Sequence, residues 1–378
     1  MSSAFDSNVI KAPVERAIFS QFPALRPRVP WVGLADLPTP VERLPARAEL
    51  AADLAFVKRD DLTAQNYGGN KVRTLEVLFA DALARGAQSI VACGAYGSNH
   101  AVATALHAPS VGLSPRALLF PQPPSQTALD NLKVVIDRAD VVAVPHWSCL
   151  PLTMWWAQHG RHRPVSVMLP GGATPWGALG YVSAALELGM QIDAGELPRP
   201  ARIVVGVGST CTSAGLLAGL ALAARLGIGF KRQSPLLVSV RVTPWPITSR
   251  FRIVGLARRT SRLLARLLAD PGLESTSAAL HAQLQVEPDF LGEGYGIPTE
   301  AGYRAMRRFG ELGLPAPDTT YSAKAAAAFL ELWRDASEPI LFWSTKSSAA
   351  LPEIRAGALA RAPRAMQRWL ALAERSGR

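Results

Sequence analysis

Short apolar runs that alternate with helix-sized segments are the feature that most limits the fold of this 378-residue chain. The runs with the length and composition of buried strands are SIVACGA (89–95), RALLFP (116–121), VVAVP (141–145), VSVMLPGG (165–172), RIVVGVGS (202–209), LLVSVRV (236–242) and PILFWST (339–345). Most are separated by a segment rich in Ala and Leu. Buried strands alternating with helices are typical of a parallel sheet covered on both faces. The sequence therefore predicts an α/β fold.

Small and polar residues cluster where several of these strands end. The clusters are CGAYGSNH (93–100), PGGATPWGALGY (170–181), GVGSTCTSAG (206–215) and WSTKSS (343–348). In parallel sheets, ligands bind beyond the carboxyl ends of the strands, where loops lead into helix N-termini. We therefore expect a ligand site at this edge.

The cluster at 206–215 has the composition of a phosphate-binding turn. Its backbone N–H groups and hydroxyls precede a helix, whose dipole favours an anion. A Walker loop is excluded because no Lys-Ser/Thr pair follows the glycines, and a dinucleotide site is disfavoured because no acidic residue follows about 20 positions later. A monophosphate site and a tight turn capped by Ser or Thr both remain open.

Lys71 is preceded by Gly68, Gly69 and Asn70 in DDLTAQNYGGNKVRTLE (60–76). Two adjacent glycines lose much backbone entropy on folding, so they are expected where something must come close to the main chain. A lysine amine forms a Schiff base with the aldehyde of pyridoxal phosphate, whose phosphate and ring need a helix N-terminus and an aromatic neighbour. On this interpretation, the glycines let the main chain approach the cofactor.

Four other polar residues indicate a function only in combination with Lys71. Ser98 and His100 in GSNH open a helix, where a helix cap and a hydrogen-bonded histidine are the simpler explanations. Ser98 does not lie in the G-x-S-x-G turn of serine hydrolases. Tyr295 and Tyr321 each precede a helix, where a lone tyrosine usually packs with its hydroxyl in water. Together these residues favour pyridoxal-phosphate chemistry.

Composition excludes several other classes of protein. The net charge of +11 comes mostly from arginines spread along the chain, and the densest basic run, 251–270, has the spacing of an amphipathic helix. Cys93, Cys149 and Cys211 form no CxxC pair or zinc pattern. No apolar segment has the length of a membrane span without charge or proline. We expect a cytoplasmic protein that binds neither nucleic acid, membrane nor metal.

Six ordered motifs resemble one known family. They are KRDDLT…YGGNKVRTLE, GAYGSNHAVATA, PGGATPWGALGY, GSTCTSAG, YGIPTEAG and DTTYSAKA. They are similar to the D-cysteine desulfhydrase and 1-aminocyclopropane-1-carboxylate deaminase family, a branch of the tryptophan synthase β-like, fold type II pyridoxal-phosphate enzymes. The resemblance implies two three-layer α/β/α domains with mainly parallel sheets and the cofactor between them. It implies a small domain of residues 74–180, a large domain of residues 1–73 and 181–378, and a homodimer.

The resemblance also implies roles for matching residues. Lys71 would be the Schiff-base lysine and the base that removes the substrate Cα proton. The implied cofactor contacts are Asn70, Asn99 at the phenolic oxygen, and Gly208, Ser209, Thr210, Cys211 and Thr212 at the phosphate. Ser98, Asn99 and His100 would hold the substrate carboxylate, and Ser98 would also shuttle a proton. Tyr295 and Tyr321 would flank the ring and the substrate, one stacking and one acting as an acid.

The sequence departs from the family pattern at three places. The phosphate loop, commonly GSGGT, carries side chains at Thr210 and Cys211. The usual His-Thr-Gly-Gly corresponds to residues 344–347 (STKS), where Thr345 stays a candidate partner of the pyridine nitrogen. Ser322 stands where cyclopropane deaminases have Glu.

A neutral Ser322 or Thr345 leaves the pyridine nitrogen largely unprotonated, which suffices when Cβ carries a good leaving group. The sequence thus favours α,β-elimination on a small amino acid, like that of D-cysteine desulfhydrase, giving pyruvate, ammonia and the leaving group. Alternatives are 1-aminocyclopropane-1-carboxylate deamination, elimination from another β-substituted amino acid such as cysteate, and a protein that binds pyridoxal phosphate or an amino acid without turnover.

Overall fold

The computed structural model describes residues 15–45, 54–160 and 164–376. Its helices are α1 (Ala17–Gln21), α2 (Asn70–Ala84), α3 (Asn99–His107), α4 (Gln126–Arg138), α5 (Leu150–His159), α6 (Pro175–Asp193), α7 (Cys211–Leu226), α8 (Arg250–Leu268), α9 (Ser277–Ala282), α10 (Glu300–Glu311), α11 (Ser322–Arg334) and α12 (Arg364–Ser376). Its strands are β1 (Val41–Arg43), β2 (Ala55–Arg59), β3 (Ser89–Ala95), β4 (Ser114–Phe120), β5 (Asp140–Ala143), β6 (Val165–Val167), β7 (Arg202–Val207), β8 (Leu236–Arg241), β9 (Leu284–Glu287) and β10 (Ile340–Ser344).

The strands form two sheets, which confirms the predicted α/β class. The larger sheet has the order β1-β2-β10-β7-β8-β9 and is parallel except for β1, which pairs antiparallel with β2. The smaller sheet has the order β5-β4-β3-β6 and is parallel throughout. All seven residues of its interior strand β3 are buried, as expected where helices cover both faces.

The seven apolar runs of the sequence correspond to β3 to β8 and β10. The predicted basic helix at 251–270 is α8, Arg250–Leu268, with Ile253 and Leu264 on its buried side. Among the residues that the structure describes, no helix is both long and apolar enough to cross a membrane.

The predicted domain boundaries stay a prediction, although packing bears on them. The strands of the smaller sheet fall within residues 89–167, inside the predicted small domain. The C-terminal helix α12 packs into the same apolar cluster as that sheet through Met366 and Trp369. Trp369 Nε1 also donates to the carbonyl of Gln122 at 2.8 Å. The C-terminal helix therefore packs on the smaller sheet, although in the sequence it follows the last strand of the larger sheet.

Candidate active site

Lys71 is the second residue of α2, and backbone contacts fix the turn before it. Gly69 precedes the helix with a φ of +96°, a conformation that favours glycine. The N–H of Gly69 donates to the carbonyl of Asp60 at 2.8 Å, and the N–H of Asn70 donates to that of Thr345 at 3.0 Å. The start of α2 is thereby tied to the loop after β10.

The glycines before Lys71 pack tightly against other backbone segments of this chain. A Cβ atom on Gly68 would lie 2.2 Å from the carbonyl oxygen of Asp61, and one on Gly69 would lie 2.7 Å from that of Thr345. Both distances are far below van der Waals contact. The close approach that the structure shows is to two other backbone segments of this chain, and an approach of the glycines to a cofactor stays a prediction.

The amine of Lys71 points toward the loop after β6. A Cβ atom on Gly171 would lie 3.6 Å from Lys71 Nζ and 2.0 Å from Ser209 Oγ, so only glycine fits between them. The Lys71 amine has no hydrogen-bond partner among the described residues. Burial lowers the pKa of this amine, and the nearby Cys211 thiol offsets only part of that effect. The amine thus loses its proton more readily than an exposed lysine, as a nucleophile or base requires.

The turn between β7 and α7 has the free donors that a phosphate needs. Within the described chain, the N–H groups of residues 209–213 donate to no backbone carbonyl, and no side chain caps α7. Thr212 Oγ1 accepts from Asn70 Nδ2 at 2.9 Å. Cys211 Sγ donates to the carbonyl of Gly172 at 3.2 Å. A helix N-terminus with unused N–H groups is an anion site, so the turn suits a phosphate.

Thr210 takes the backbone role of a glycine in this turn. Its φ is +74°, in the left-handed region that β-branched residues rarely enter. This is one of the two positions at which the chain departs from the GSGGT pattern. The backbone of Thr210 therefore adopts a conformation that glycine favours, at a cost in strain.

Asn99 is held in one orientation by three donors. Its Oδ1 accepts from Asn131 Nδ2 at 2.8 Å, from the Tyr67 hydroxyl at 3.3 Å and from Lys346 Nζ at 3.4 Å. Its amide nitrogen has no acceptor in the part of the chain that the structure describes. Since Oδ1 is fully used, Nδ2 remains as a donor for a ligand.

Ser98 and His100 begin α3 beside this amide. Ser98 Oγ caps the helix by accepting from the N–H of Ala101 at 3.3 Å, as the simpler explanation of the sequence expected. His100 is buried, and both of its ring nitrogens lack a partner among the residues that the structure describes. Burial and the neighbouring Lys71 lower the pKa of His100 to about 3, so the imidazole is neutral. Unpaired buried nitrogens cost free energy unless a ligand meets them.

The two predicted tyrosines meet in the structure. The hydroxyls of Tyr295 and Tyr321 hydrogen-bond each other, with ring centroids 5.7 Å apart and planes at 73°. The Tyr321 ring lies against Gly208, where a Cβ atom would be 3.0 Å from Cε1. Burial raises the pKa of Tyr295 to about 12 and that of Tyr321 well above its usual value. Both phenols are therefore protonated near neutral pH and can donate.

The hydroxyl of Ser322 is already engaged. It donates to Asp318 Oδ2 at 2.6 Å and accepts from the N–H of Asp318 at 2.8 Å. Asp318 also accepts from the N–H groups of Thr320 and Tyr321, so its carboxylate caps α11. The predicted contact of Ser322 with the pyridine nitrogen stays a prediction, as does that of Thr345.

The structure thus brings the four clusters and Lys71 to one place. Ser209 lies against Gly171, which is next to the Lys71 amine. The N–H of Asn70 donates to the carbonyl of Thr345, and Lys346, which follows Thr345, donates to Asn99. Sequence reasoning missed four residues that shape the site: Tyr67, Asn131, Asp318 and Lys346. Tyr67 and Asp318 lie in two of the motifs that carry the resemblance, and Lys346 replaces the glycine that the resemblance led us to expect, so three of the four left a signal in the sequence.

Comparison with known proteins identifies the family. The family described as pyridoxal-phosphate dependent enzyme matches residues 32–343 of this chain. The chain belongs to this family. That membership favours an enzyme over a binding protein without turnover.

Relatives of this pyridoxal-phosphate dependent enzyme span most of its length. D-cysteine desulfhydrase of Salmonella paratyphi A is 32% identical over 340 residues, covering 86% of this chain and 96% of that protein. The crystal structure of an ACC deaminase homologue is 28% identical with a TM-score of 0.71, covering 88% of this chain and 95% of that chain. An L-serine ammonia-lyase from Rhizomucor miehei, 16% identical with a TM-score of 0.53 over 82% of this chain and 94% of its own, shares the fold.

The residues of this enzyme fit pyridoxal phosphate. The N-terminus of α7 offers free N–H groups for the phosphate, and the Lys71 amine is unpaired and has a lowered pKa. The orphaned His100 nitrogens face the same region, since Lys71 acts electrostatically on the imidazole. The cofactor that the sequence predicted is therefore compatible with the donors present.

Proposed function

We propose that this enzyme catalyses α,β-elimination on a small amino acid, with D-cysteine as the first substrate to test and pyruvate, ammonia and sulfide as products. The observation that carries this proposal is the unpaired Lys71 amine with its lowered pKa, next to a helix N-terminus with free N–H groups. The 32% identity to D-cysteine desulfhydrase supports the reaction type.

Pyridoxal phosphate, when bound, supplies an electron sink for the charge that develops at the substrate Cα. The chain supplies the proton transfers and the binding contacts. Lys71 Nζ takes the Cα proton, because its lowered pKa leaves it available as a base. The N-terminus of α3 at Ser98 holds the carboxylate of the amino acid.

The tyrosine pair serves the leaving group. A leaving sulfide or other anion needs a proton or a donated hydrogen bond, and both phenols keep their protons at neutral pH. Because the hydroxyls of Tyr295 and Tyr321 bind each other, a proton given up by one is shared with the other. The pair can therefore donate without leaving an isolated phenolate in a buried place.

A second candidate is 1-aminocyclopropane-1-carboxylate deaminase activity, which the similarity to the ACC deaminase homologue favours. Ser322 argues against this activity, because the resemblance implies that cyclopropane deaminases have a Glu carboxylate at the position of the Ser322 hydroxyl. In a pyruvate and ammonia assay, we expect turnover of D-cysteine and none of the cyclopropane substrate. Elimination from cysteate, a further possibility from the sequence, is tested in the same assay by sulfite release.

The variant Lys71→Ala tests the proposal. We expect the purified wild type to show the visible absorbance of a cofactor bound through lysine, and we expect Lys71→Ala to lose both that absorbance and turnover. Lys231→Ala, at an exposed lysine, is the matched control and should keep both. Turnover by Lys71→Ala without added amine would contradict the proposal.

Two finer predictions from the sequence accompany this function. They are a homodimer and a location in the cytoplasm, and both stay predictions. Sedimentation velocity of the purified enzyme tests the first.

A further inference from the structure

Lys346 puts a second ammonium group at this site. Its backbone pairs with Gly69, two residues before Lys71. Its Nζ donates to the Tyr67 hydroxyl at 3.1 Å and to Asn99 Oδ1 at 3.4 Å, and it lies 5.1 Å from the centroid of the Tyr67 ring. These contacts place a positive charge directly beside the amide of Asn99, to which the resemblance gives a role in ligand binding.

The charge of Lys346 has no anionic partner in the described chain. Both of its hydrogen-bond acceptors are neutral, and no carboxylate of the described residues forms an ion pair with it. A partly buried ammonium group without a counter-charge is costly, because neutral acceptors replace only part of its hydration. Two of its three N–H donors are used, so one remains for a ligand.

The surroundings keep Lys346 protonated. Burial alone would lower its pKa, but the hydrogen bond to Tyr67 and the more distant carboxylates of Asp318 and Asp130 outweigh burial and raise it. Tyr67 itself stays neutral, since burial raises its pKa. The site therefore holds a permanent positive charge next to Asn99 Nδ2, a neutral donor without an acceptor.

We propose that Lys346 and Asn99 Nδ2 together bind an anionic oxygen of the ligand, with Lys346 supplying the charge. This inference rests on the proposed function. Two oxygens have the required chemistry: the phenolic oxygen of pyridoxal phosphate and the carboxylate of the amino acid. In either case, Lys346 is a ligand-binding residue of this chain, and it stands where the resemblance led us to expect glycine.

The first arm of the test uses the enzyme with pyridoxal phosphate and no amino acid. Its visible absorbance is titrated with pH in the wild type, Lys346→Met, Lys346→Gln and Lys346→Arg. If the phenolic oxygen is the partner, loss of the positive charge disfavours its anionic form, and the midpoint rises by about one pH unit or more in the two neutral variants. Lys346→Arg keeps the charge and should stay near the wild type.

The second arm adds D-alanine, an amino acid without a leaving group, and follows its binding by the same absorbance. If the carboxylate is the partner, the pH midpoint stays unchanged and the Kd for D-alanine rises roughly tenfold or more in Lys346→Met and Lys346→Gln. Lys346→Arg should restore most of the affinity.

Controls separate the outcomes. Lys231→Met removes an exposed lysine between α7 and β8, at the end of α7 opposite the phosphate turn, and should match the wild type in both arms. Lys346→Gln can still donate to Asn99, so wild-type behaviour of this variant would reduce Lys346 to a neutral positioning role and overturn the proposal. Unchanged midpoint and unchanged Kd in both neutral variants would also overturn it while leaving the proposed function intact. A wild type that binds no pyridoxal phosphate would overturn the proposed function and, with it, this inference.

Discussion

At the scale of single residues, His100 is a buried base whose nitrogens have no partner. Its pKa in the folded protein is about 3, against an ordinary value of 6.5. Between these two values the unfolded chain binds a proton that the folded protein does not. Stability is therefore lost as the pH falls below 6.5, and the loss at pH 5 is about 2 kcal/mol.

The variant His100→Leu should remove this acid sensitivity, because a leucine leaves no unpaired nitrogen and cannot titrate. Urea unfolding of the cofactor-free proteins at pH 7.5 and pH 5 measures it. We expect the drop in unfolding free energy between the two pH values to be smaller by about 2 kcal/mol in His100→Leu than in the wild type. The same substitution at the exposed His159 should leave the drop unchanged, and an equal drop in all three proteins would contradict the prediction.

At the scale of one element, the start of α7 stores strain at Thr210. A β-branched residue with a φ of +74° costs about 1–3 kcal/mol, while glycine loses about 0.5–1 kcal/mol of entropy on ordering. Thr210→Gly should therefore raise the unfolding free energy by about 1 kcal/mol and keep the phosphate turn. Thr212→Gly is the matched comparison and should lower the unfolding free energy. It loses the hydrogen bond that Asn70 donates to Thr212, and it puts a glycine inside the helix α7. Urea unfolding measures both, and destabilisation by Thr210→Gly would show that its side chain contributes more than its backbone costs.

The sequence predicted seven of the strands that the structure describes and missed three. The apolar runs of β3 to β8 and β10 were predictable because strands of a parallel sheet covered by helices are nearly continuous in apolar residues, even where, as in β5 and β6, the strand is only partly buried. The strands β1, β2 and β9 were missed because they are short and carry charges, such as Lys58 and Arg59 in β2. The buried amine of Lys58 pairs with Glu187 of α6, a contact across 129 residues that no local pattern reveals.

The candidate site shows the same division. Lys71 and the phosphate turn were predictable, since their chemistry needs particular residue types in a local order. The contact of Lys346 with Tyr67 joins residues 279 positions apart and depends on how the loop after β10 lies against α2. The reason for Gly69 was likewise hidden, because it depends on the carbonyl of Thr345.

At the scale of the whole molecule, a buried ionic network joins the larger sheet to the helices beneath Lys71. Asp60, after β2, accepts hydrogen bonds from Thr39, Arg73, Tyr181 and Trp343. Arg73 also pairs with Glu187. Burial alone would raise the pKa of Glu187, but Arg73 and Lys58 lower it to about 2, so the carboxylate stays charged. Since Arg73 lies two residues after Lys71, the network fixes the turn that carries the reactive amine.

Asp60→Asn tests whether this network holds the molecule together. The substitution removes one of the carboxylates that pair with the buried guanidinium of Arg73. It also places the N–H groups of an amide beside a guanidinium that can only donate. We therefore expect the unfolding free energy to fall by about 3–5 kcal/mol. Tyr181→Phe removes a single neutral donor from the same carboxylate and should cost about 1 kcal/mol. Urea unfolding compares the two, and equal losses would mean that Arg73 is satisfied by Glu187 alone. If the network also positions Lys71, Asp60→Asn should weaken pyridoxal-phosphate binding more than Tyr181→Phe does, because only the first change disturbs the ion pair in the same helical turn as the amine.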